Sequence, residues 1–276
     1  MLAAAFAESP AQREMPREIV RALVGGITTT MRRRLADGPD ADLRSLVPEL
    51  LDWALSYRPP PRPLRSDAGA ATRVAASPQP ASQEQRLMAS LLQTFAEQGY
   101  AATTIADVAR QAKISLTTFY AFFAGKQEAL LAVLDHIRET AGNAARAGRA
   151  RRPESWRSTV RDGLEALLGA LDAEPALARV ALAEPGIEPR ARDHGCSTLA
   201  LDTVLCPEHP EAPPITPTAN AAIGGAILTL IARPAPGHGA RSFSASTPVA
   251  TYVALAPFIG PANACSTANE PRATPP

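Results

Sequence analysis

The chain has 276 residues, enough for one large domain or two modest ones. Its formal net charge of +1 gives no global attraction to nucleic acid, so any basic site must be local. Three cysteines (Cys196, Cys206, Cys265) are too few and too late for a disulfide framework and point to a reduced, cytoplasmic setting. Residues 1–10 are apolar but lack the basic n-region of a signal peptide. No run reaches the roughly 20 apolar residues of a membrane span, and 219–232, interrupted by Asn220 and two glycines, comes nearest.

The opening residues carry two helical patterns. From Glu18 to Leu35, Val20, Leu23, Val24, Ile27 and Met31 recur at helical spacing. Arg32, Arg33 and Arg34 fall in the last turns, where cations complement the helix dipole, and Asp37-Gly38-Pro39 stops the run. A second helix is predicted over about Asp42 to Tyr57, with Leu46, Leu50, Leu51, Ala54 and Leu55 along one side. Both patterns return near the other end of the chain. Val24-Gly25-Gly26-Ile27 is echoed by Ile223-Gly224-Gly225-Ala226, and Trp53-Ala54-Leu55-Ser56 by Val253-Ala254-Leu255-Ala256. A spacing near 200 residues is a domain period, not the roughly 20–50 of a solenoid. Residues 1–57 therefore read as the tail of one domain, followed by a fuller copy of a similar one.

Residues 58–81 read as a linker. Six prolines lie between positions 59 and 80, and Arg58, Arg62, Arg65 and Arg73 face only Asp67, so the segment is a solvated spacer or a basic arm. From 82 to 134 the text is more regular. Ser82 can cap a helix that buries Leu87, Met88, Leu91, Leu92 and Phe95, and Gly99 is placed to end it in a left-handed C-cap. Thr104-Ile105-Ala106-Asp107 is a capping box opening a short helix with Ile105, Val108 and Ala109 inward. Lys113-Ile114-Ser115 makes a tight turn, Ser115 caps a third helix from Leu116 to Phe122, and a fourth starts near Lys126 and buries Leu130, Leu131, Leu134 and Ile137. Two short helices around a tight turn, with small Ala109 at the crossing and Ile114 and Phe119 plugging the wedge, form a helix-turn-helix.

Beyond this unit, helices are predicted at Ser155 to Leu171, Pro175 to Ala183, Thr218 to Ile231 and Thr247 to Leu255. A less regular one is placed at Pro189 to Leu205, and a loop at Pro207 to Pro217. With no alternating strand, the fold class is all-α.

The helix-turn-helix residues resemble the DNA-binding region of the TetR family of bacterial transcriptional repressors. The resemblance rests on Thr103-Thr104-Ile105-Ala106-Asp107-Val108-Ala109, Ile114-Ser115, Thr118-Phe119-Tyr120, Phe123, Lys126 and Glu128-Ala129-Leu130. It implies that double-stranded DNA is the partner, contacted by Thr104, Lys113, Ser115, Leu116, Thr117, Thr118, Tyr120 and Lys126, with Leu116 offering an apolar surface to a thymine methyl. Two positions depart from the family. Lys113 replaces a turn glycine, at a cost of roughly 1 kcal/mol for a left-handed conformation. Phe122 replaces a His or Tyr that reaches a phosphate. Arg86, Arg110, Lys113 and Lys126 are balanced by Glu84, Glu97, Asp107 and Glu128, so the unit is locally neutral.

The same resemblance implies that residues 135–262 are an effector-binding and dimerisation domain, and that 1–57 are the last helices of an incomplete second unit. In the family the last two helices of each subunit pair as a four-helix bundle. This chain would be a homodimer, or an intramolecular pseudo-dimer in which 17–57 docks onto 217–257. Trp156, Leu164, Leu168 and Val180, with Phe123 and Ile223, are apolar candidates for a small-molecule effector pocket, and 263–276 is predicted to be a disordered tail. His194, Cys196, Cys206 and His209 suggest a metal set; if Ser197 to Leu205 is helical, Cys196 and Cys206 lie about 15 Å apart, too far to share an ion, whereas a loop there would reopen the case. No cofactor is called for, and no phosphate loop, nucleophile elbow or paired carboxylate argues for an enzyme. The function read from the chain is sequence-specific transcriptional regulation, as a repressor relieved by a small apolar or amphipathic molecule. The alternative is a degenerate TetR-like dimerisation partner with weak or no DNA binding.

Overall fold

The computed structural model describes residues 15–36, 38, 42–65, 82–152, 155–183, 199, 201–232 and 242–271. The chain is all-α. Its helices are α1 (Arg17–Ala36), α2 (Leu46–Leu55), α3 (Gln83–Ala102), α4 (Ile105–Ala112), α5 (Leu116–Phe122), α6 (Lys126–Arg149), α7 (Trp156–Ala173), α8 (Pro175–Leu182), α9 (Pro217–Ala232) and α10 (Thr247–Ala268). Single 3₁₀ turns occur at Leu201–Thr203 and Phe243–Ser246, and no strand occurs among the described residues.

Helix α7 is the centre of the larger half. Trp156, Val160, Leu164, Leu167, Leu168 and Leu171 repeat at helical spacing, and all are buried. Its first half also buries charge. Asp162 has no exposed surface and accepts from Arg152 through both guanidinium edges, Nη2 at 2.6 Å and Nε at 2.7 Å. Arg161 lies beside it, pairs with Glu165 at 3.1 Å and donates to the Glu270 carbonyl. Arg152 reaches the Glu270 carboxylate at 2.9 Å. These charges are tolerable in the interior because each has a partner of opposite sign, and together they tie the α6–α7 turn to the end of α10. At the other end of α7, Asp172 accepts from the Phe243 and Ser244 amides at 2.6 and 3.0 Å, which seats the turn leading into α10.

By length and composition, the stretch Phe243–Ala268 could cross a membrane, which the sequence reading did not find. Over half of it is buried against other helices, as in a core helix. Pro257 and Pro261 interrupt it, and Gly260 between them adopts φ 76° and ψ 165°. A proline has no amide hydrogen, so the Val253 carbonyl four residues before Pro257 loses its intrahelical donor. The Tyr57 hydroxyl fills the vacancy, donating to Val253 O at 2.6 Å from a fully buried position.

That bond belongs to a long seam. Helix α1 buries Ile19, Ala22, Leu23, Gly26, Ile27 and Thr30 and packs along α9. The Tyr252 hydroxyl donates back to Arg58 O at 2.5 Å. Beyond it, residues 58–65 run beside α10, where the Arg65 amide donates to Asn269 Oδ1 at 2.7 Å and Asn269 Nδ2 to Pro63 O at 3.1 Å.

Several details differ from the sequence expectation. On α2 the buried residues are Leu46, Leu50, Trp53 and Ala54, whereas Leu51 and Leu55 are about half exposed. Turning Trp53 toward Gly26 of α1 and Tyr57 toward α10 rotates those leucines outward. Gly99 has φ 75° but ψ 162°, so it kinks the end of α3 instead of closing it in the left-handed helical region. Residues 263–268, predicted as part of a disordered tail, are helical, because α10 continues to Ala268 with Ala264, Cys265, Thr267 and Ala268 buried. Residues 272–276 lie outside the described residues, as does most of the helix placed at Pro189 to Leu205.

Replacing Asp162 by Ala should cost about 3 kcal/mol, measured by denaturant unfolding, because it removes the fully buried carboxylate between Arg152 and Arg161 and leaves them only Glu270 and Glu165 as acidic partners. Burial pushes the Tyr252 phenol up to about 12 and the Tyr57 phenol well above its ordinary 10.0. The folded seam thus holds the neutral phenols. The Tyr252 contribution is whole below pH 10 and is lost as pH rises from 10 through about 12, and the Tyr57 contribution, likewise whole below pH 10, is lost as pH rises above it. An alkaline titration followed by tryptophan fluorescence should show this loss, since Trp53 meets Tyr57 edge-to-face at 5.4 Å, and Tyr57→Phe should flatten it.

Candidate nucleic-acid interface

Helices α3 to α5 are fixed by local hydrogen bonds the sequence encodes. Ser82 opens α3 with a complete capping box, accepting from the Gln85 amide at 3.1 Å while its own amide donates to Gln85 Oε1 at 2.9 Å. Thr94 in α3 reaches Gln111 in α4 at 2.6 Å. Thr104 accepts from the Asp107 amide at 3.2 Å, but Asp107 answers differently from a full box: its carboxylate takes the Thr104 hydroxyl at 2.5 Å. The Thr104 amide also helps to hold that carboxylate charged, more weakly than the hydroxyl does. The bond from Thr104 is the main reason the Asp107 carboxyl sits below its ordinary range, helped by neighbouring Arg110.

The turn between α4 and α5 is a Schellman arrangement. Lys113 adopts φ 55° and ψ 46°, the left-handed conformation, its amide donates to Arg110 O at 3.2 Å, and the Ile114 amide donates to Ala109 O at 3.0 Å. Ser115 then caps α5 by accepting from the Thr118 amide at 3.0 Å, with the two hydroxyls 2.8 Å apart.

Helix α5 buries one residue, Phe119, whose ring meets Phe123 and Tyr120. Val108, Ala109 and Ala112 of α4 close the same wedge. The rest of α5 faces out. Leu116 is 49% and Tyr120 56% exposed, Thr117 and Ala121 are exposed, and Phe122 is 38% exposed. Apolar residues turned to solvent on a seven-residue helix are a cost in an isolated protein and a binding surface when a partner covers them. The helix is narrow enough, and projects enough side chains, to enter a major groove. Thr104, Lys113 and Ser115 are also exposed, and Thr118 is half-buried.

Lys126 makes contacts within the fold that its sequence position did not indicate. Its ammonium donates to the carbonyls of Tyr100 and Thr103, each at 2.9 Å, and lies 3.4 Å from Ala101 O and 4.5 Å above the Tyr100 ring. A cation placed on the carbonyl end of α3 neutralises that end of the dipole. The charge is spent inside the fold and is poorly available to a phosphate.

The four residues assigned to an effector pocket are all buried in the continuous apolar core. Leu164 and Leu168 expose no surface, so no void of ligand size reaches them. Trp156 donates through Nε1 to Leu205 O at 2.6 Å and packs edge-on against Phe258. An open groove of about 430 Å³ lies elsewhere, between the start of α1 and the Pro60–Leu64 stretch. Of the four cysteines and histidines considered as a metal set, two are described. Burial raises the Cys206 thiol, His209 Nδ1 accepts from the Glu211 amide at 3.1 Å, and His194 and Cys196 lie outside the described residues. No group of three or more metal-ligating side chains occurs among the described residues. The features sequence reasoning missed are the Asp162 cluster and the Tyr57–Val253 bond. Only the second left a trace, in Pro257 four residues after Val253.

Residues 87–133 match the family model of the bacterial regulatory proteins, tetR family. A comparison with curated proteins found no match. Among solved structures, the fatty acid degradation regulator FadR from Bacillus halodurans is 17% identical with a TM-score of 0.49, covering 64% of this chain and 97% of that one. A TetR-like transcriptional regulator from Rhodococcus sp. RHA1 is 18% identical with a TM-score of 0.46, covering 67% and 100%. FadR from Bacillus subtilis, in complex with stearoyl-CoA, is 15% identical with a TM-score of 0.47, covering 64% and 98%.

Because Lys113 carries its Cβ in the left-handed region, Lys113→Gly should raise stability by about 1 kcal/mol, seen as a higher midpoint in thermal unfolding.

Proposed function

We propose that this chain, whose residues 87–133 are a TetR-type reader by sequence, is a sequence-specific DNA-binding transcription regulator. The observation that carries the reading is α5 held outward on a single buried residue, Phe119, with Leu116, Thr117 and Tyr120 presented together. In the duplex, Leu116 and Thr117 meet base edges, while Tyr120, Thr104, Ser115, Thr118 and Lys113 meet the backbone. Lys126 supports this set from behind by holding the end of α3.

The protein is read as a cytoplasmic repressor relieved by a small apolar or amphipathic molecule. Such a molecule would enter near Trp156, Leu164, Leu168 and Val180 by separating packed side chains. Helix α6 leads from the reader into that core and packs on α7, so displacing α7 would move the reader. One specific set of observations favours the second reading, a TetR-like partner with weak or no DNA binding. Phe122 offers a phosphate nothing, Lys126 is occupied, and the reader is locally neutral.

Fluorescence anisotropy with the duplex upstream of the protein's own gene, against an unrelated duplex, separates the two. Tyr120→Ala should weaken binding to both by about tenfold, roughly 1.4 kcal/mol. Leu116→Ala and Thr117→Ala should reduce the preference between them. Lys126→Ala should lower the melting temperature more than the affinity. Equal, variant-independent binding to both duplexes, or none at low ionic strength, would sink the assignment.

A further inference from the structure

The contact between α1 and α9 is reciprocal, residue for residue. A Cβ built on Gly25 would lie 2.5 Å from Thr229 Cβ, and one built on Gly225 would lie 2.7 Å from Thr29 Cβ. In each helix the threonine follows its glycine by four residues, one turn on the same face. Adding 200 to Gly25 and Thr29 gives Gly225 and Thr229, so the structure pairs the two copies at that offset, one residue from the alignment of the Gly-Gly pairs. A surface that meets its own copy so that i touches j and j touches i is an isologous, two-fold interface, the kind that closes homodimers.

We infer that α1 and α2 act as a built-in substitute for a second subunit, occupying in cis the self-complementary face of α9 and α10, so that each particle carries one reader. A face built to pair with its own copy would pair with a second molecule if left open. Two features favour the internal copy. The linker keeps it at high effective concentration. Tyr57 supplies the donor that the Val253 carbonyl needs, whereas the residue 200 positions after Tyr57 is Pro257, which has no hydroxyl, so a second α9–α10 face would leave that carbonyl unfilled. The seam further includes the Tyr252–Arg58 bond, and Cys265 Sγ lies 3.4 Å from Arg62 O.

The test uses the full chain and reads mass, so its outcome is independent of DNA binding. Light scattering of the natural protein should give a monomer of 29.0 kDa. Gly25→Leu drives a side chain into Thr229 and expels α1, yet leaves Gly225 and Thr229 intact to pair with a second copy, so its mass should double. Gly225→Leu blocks the cis and the trans contact alike and should stay monomeric. In a separate variant, Arg62→Cys lies beside the native Cys265, and a short bismaleimide should join positions 62 and 265 within one chain, as identified by mass spectrometry. A natural-protein dimer whose 62–265 link runs between chains overturns the proposal, as does a monomer that forms no such link. A folded, monomeric Gly25→Leu overturns the self-complementary face. Should that variant fail to fold, the mass of the natural protein and the 62–265 link decide.

Discussion

Two helices can lie backbone against backbone only where neither carries a side chain at the crossing, and this constraint organises the molecule. Gly25 and Gly225 vacate the crossing of α1 and α9, and Thr229 and Thr29 fill the space each leaves. Thr229 turns its hydroxyl back to Gly225 O at 2.9 Å, so the close approach leaves that polar group bonded. With the helices this near, Ile19, Leu23 and Ile27 of α1 are removed from water, and α1 is part of the core although it is separated from it by most of the chain.

The same economy of polar groups governs α10. Pro257 breaks its internal hydrogen-bond ladder, and both the carbonyl this frees and the polar groups just past the helix end find partners from distant segments. Tyr57 donates to Val253 O, and the Glu270 carbonyl and carboxylate receive Arg161 and Arg152. A helix so rich in apolar residues would be generic if its packing were apolar alone. These bonds fix which neighbours it has, because a buried donor or acceptor left without a partner costs more than an imperfect apolar contact. Helix α6 joins this assembly to the helix-turn-helix. It begins at Lys126, whose ammonium holds the end of α3, and ends at Arg149, which donates to Thr203 O at 2.7 Å.

The helix-turn-helix was legible almost residue by residue. Its caps at Ser82, Thr104 and Ser115, its left-handed turn at Lys113 and its wedge of Ala109 and Phe119 are local devices, each encoded within a few positions. What was not legible there is where a long side chain ends up. Lys126 has the charge for a phosphate, but α3 offers it three carbonyls close by, and only the folded chain brings positions 100–103 to it. The residues assigned to an effector pocket are packed into the core for a related reason. Helical spacing marks Leu164 and Leu168 as inward, and inward residues line a cavity or fill a core with the same pattern.

The sequence by itself determined that the chain is helical, that residues 82–134 are a helix-turn-helix, and that the opening helices echo the closing ones, since each rests on spacing along the chain. Tertiary structure alone decided that α1 lies on α9 in the reciprocal register, that Leu51 and Leu55 turn outward while Trp53 and Tyr57 turn in, and that Asp162 gathers its guanidinium groups in the interior. The division is physical. Periodicity and capping act over a few residues and can be read in one dimension, whereas the partner of a buried polar atom, or of a bare stretch of helix, is set by what packing brings within about 3 Å of it.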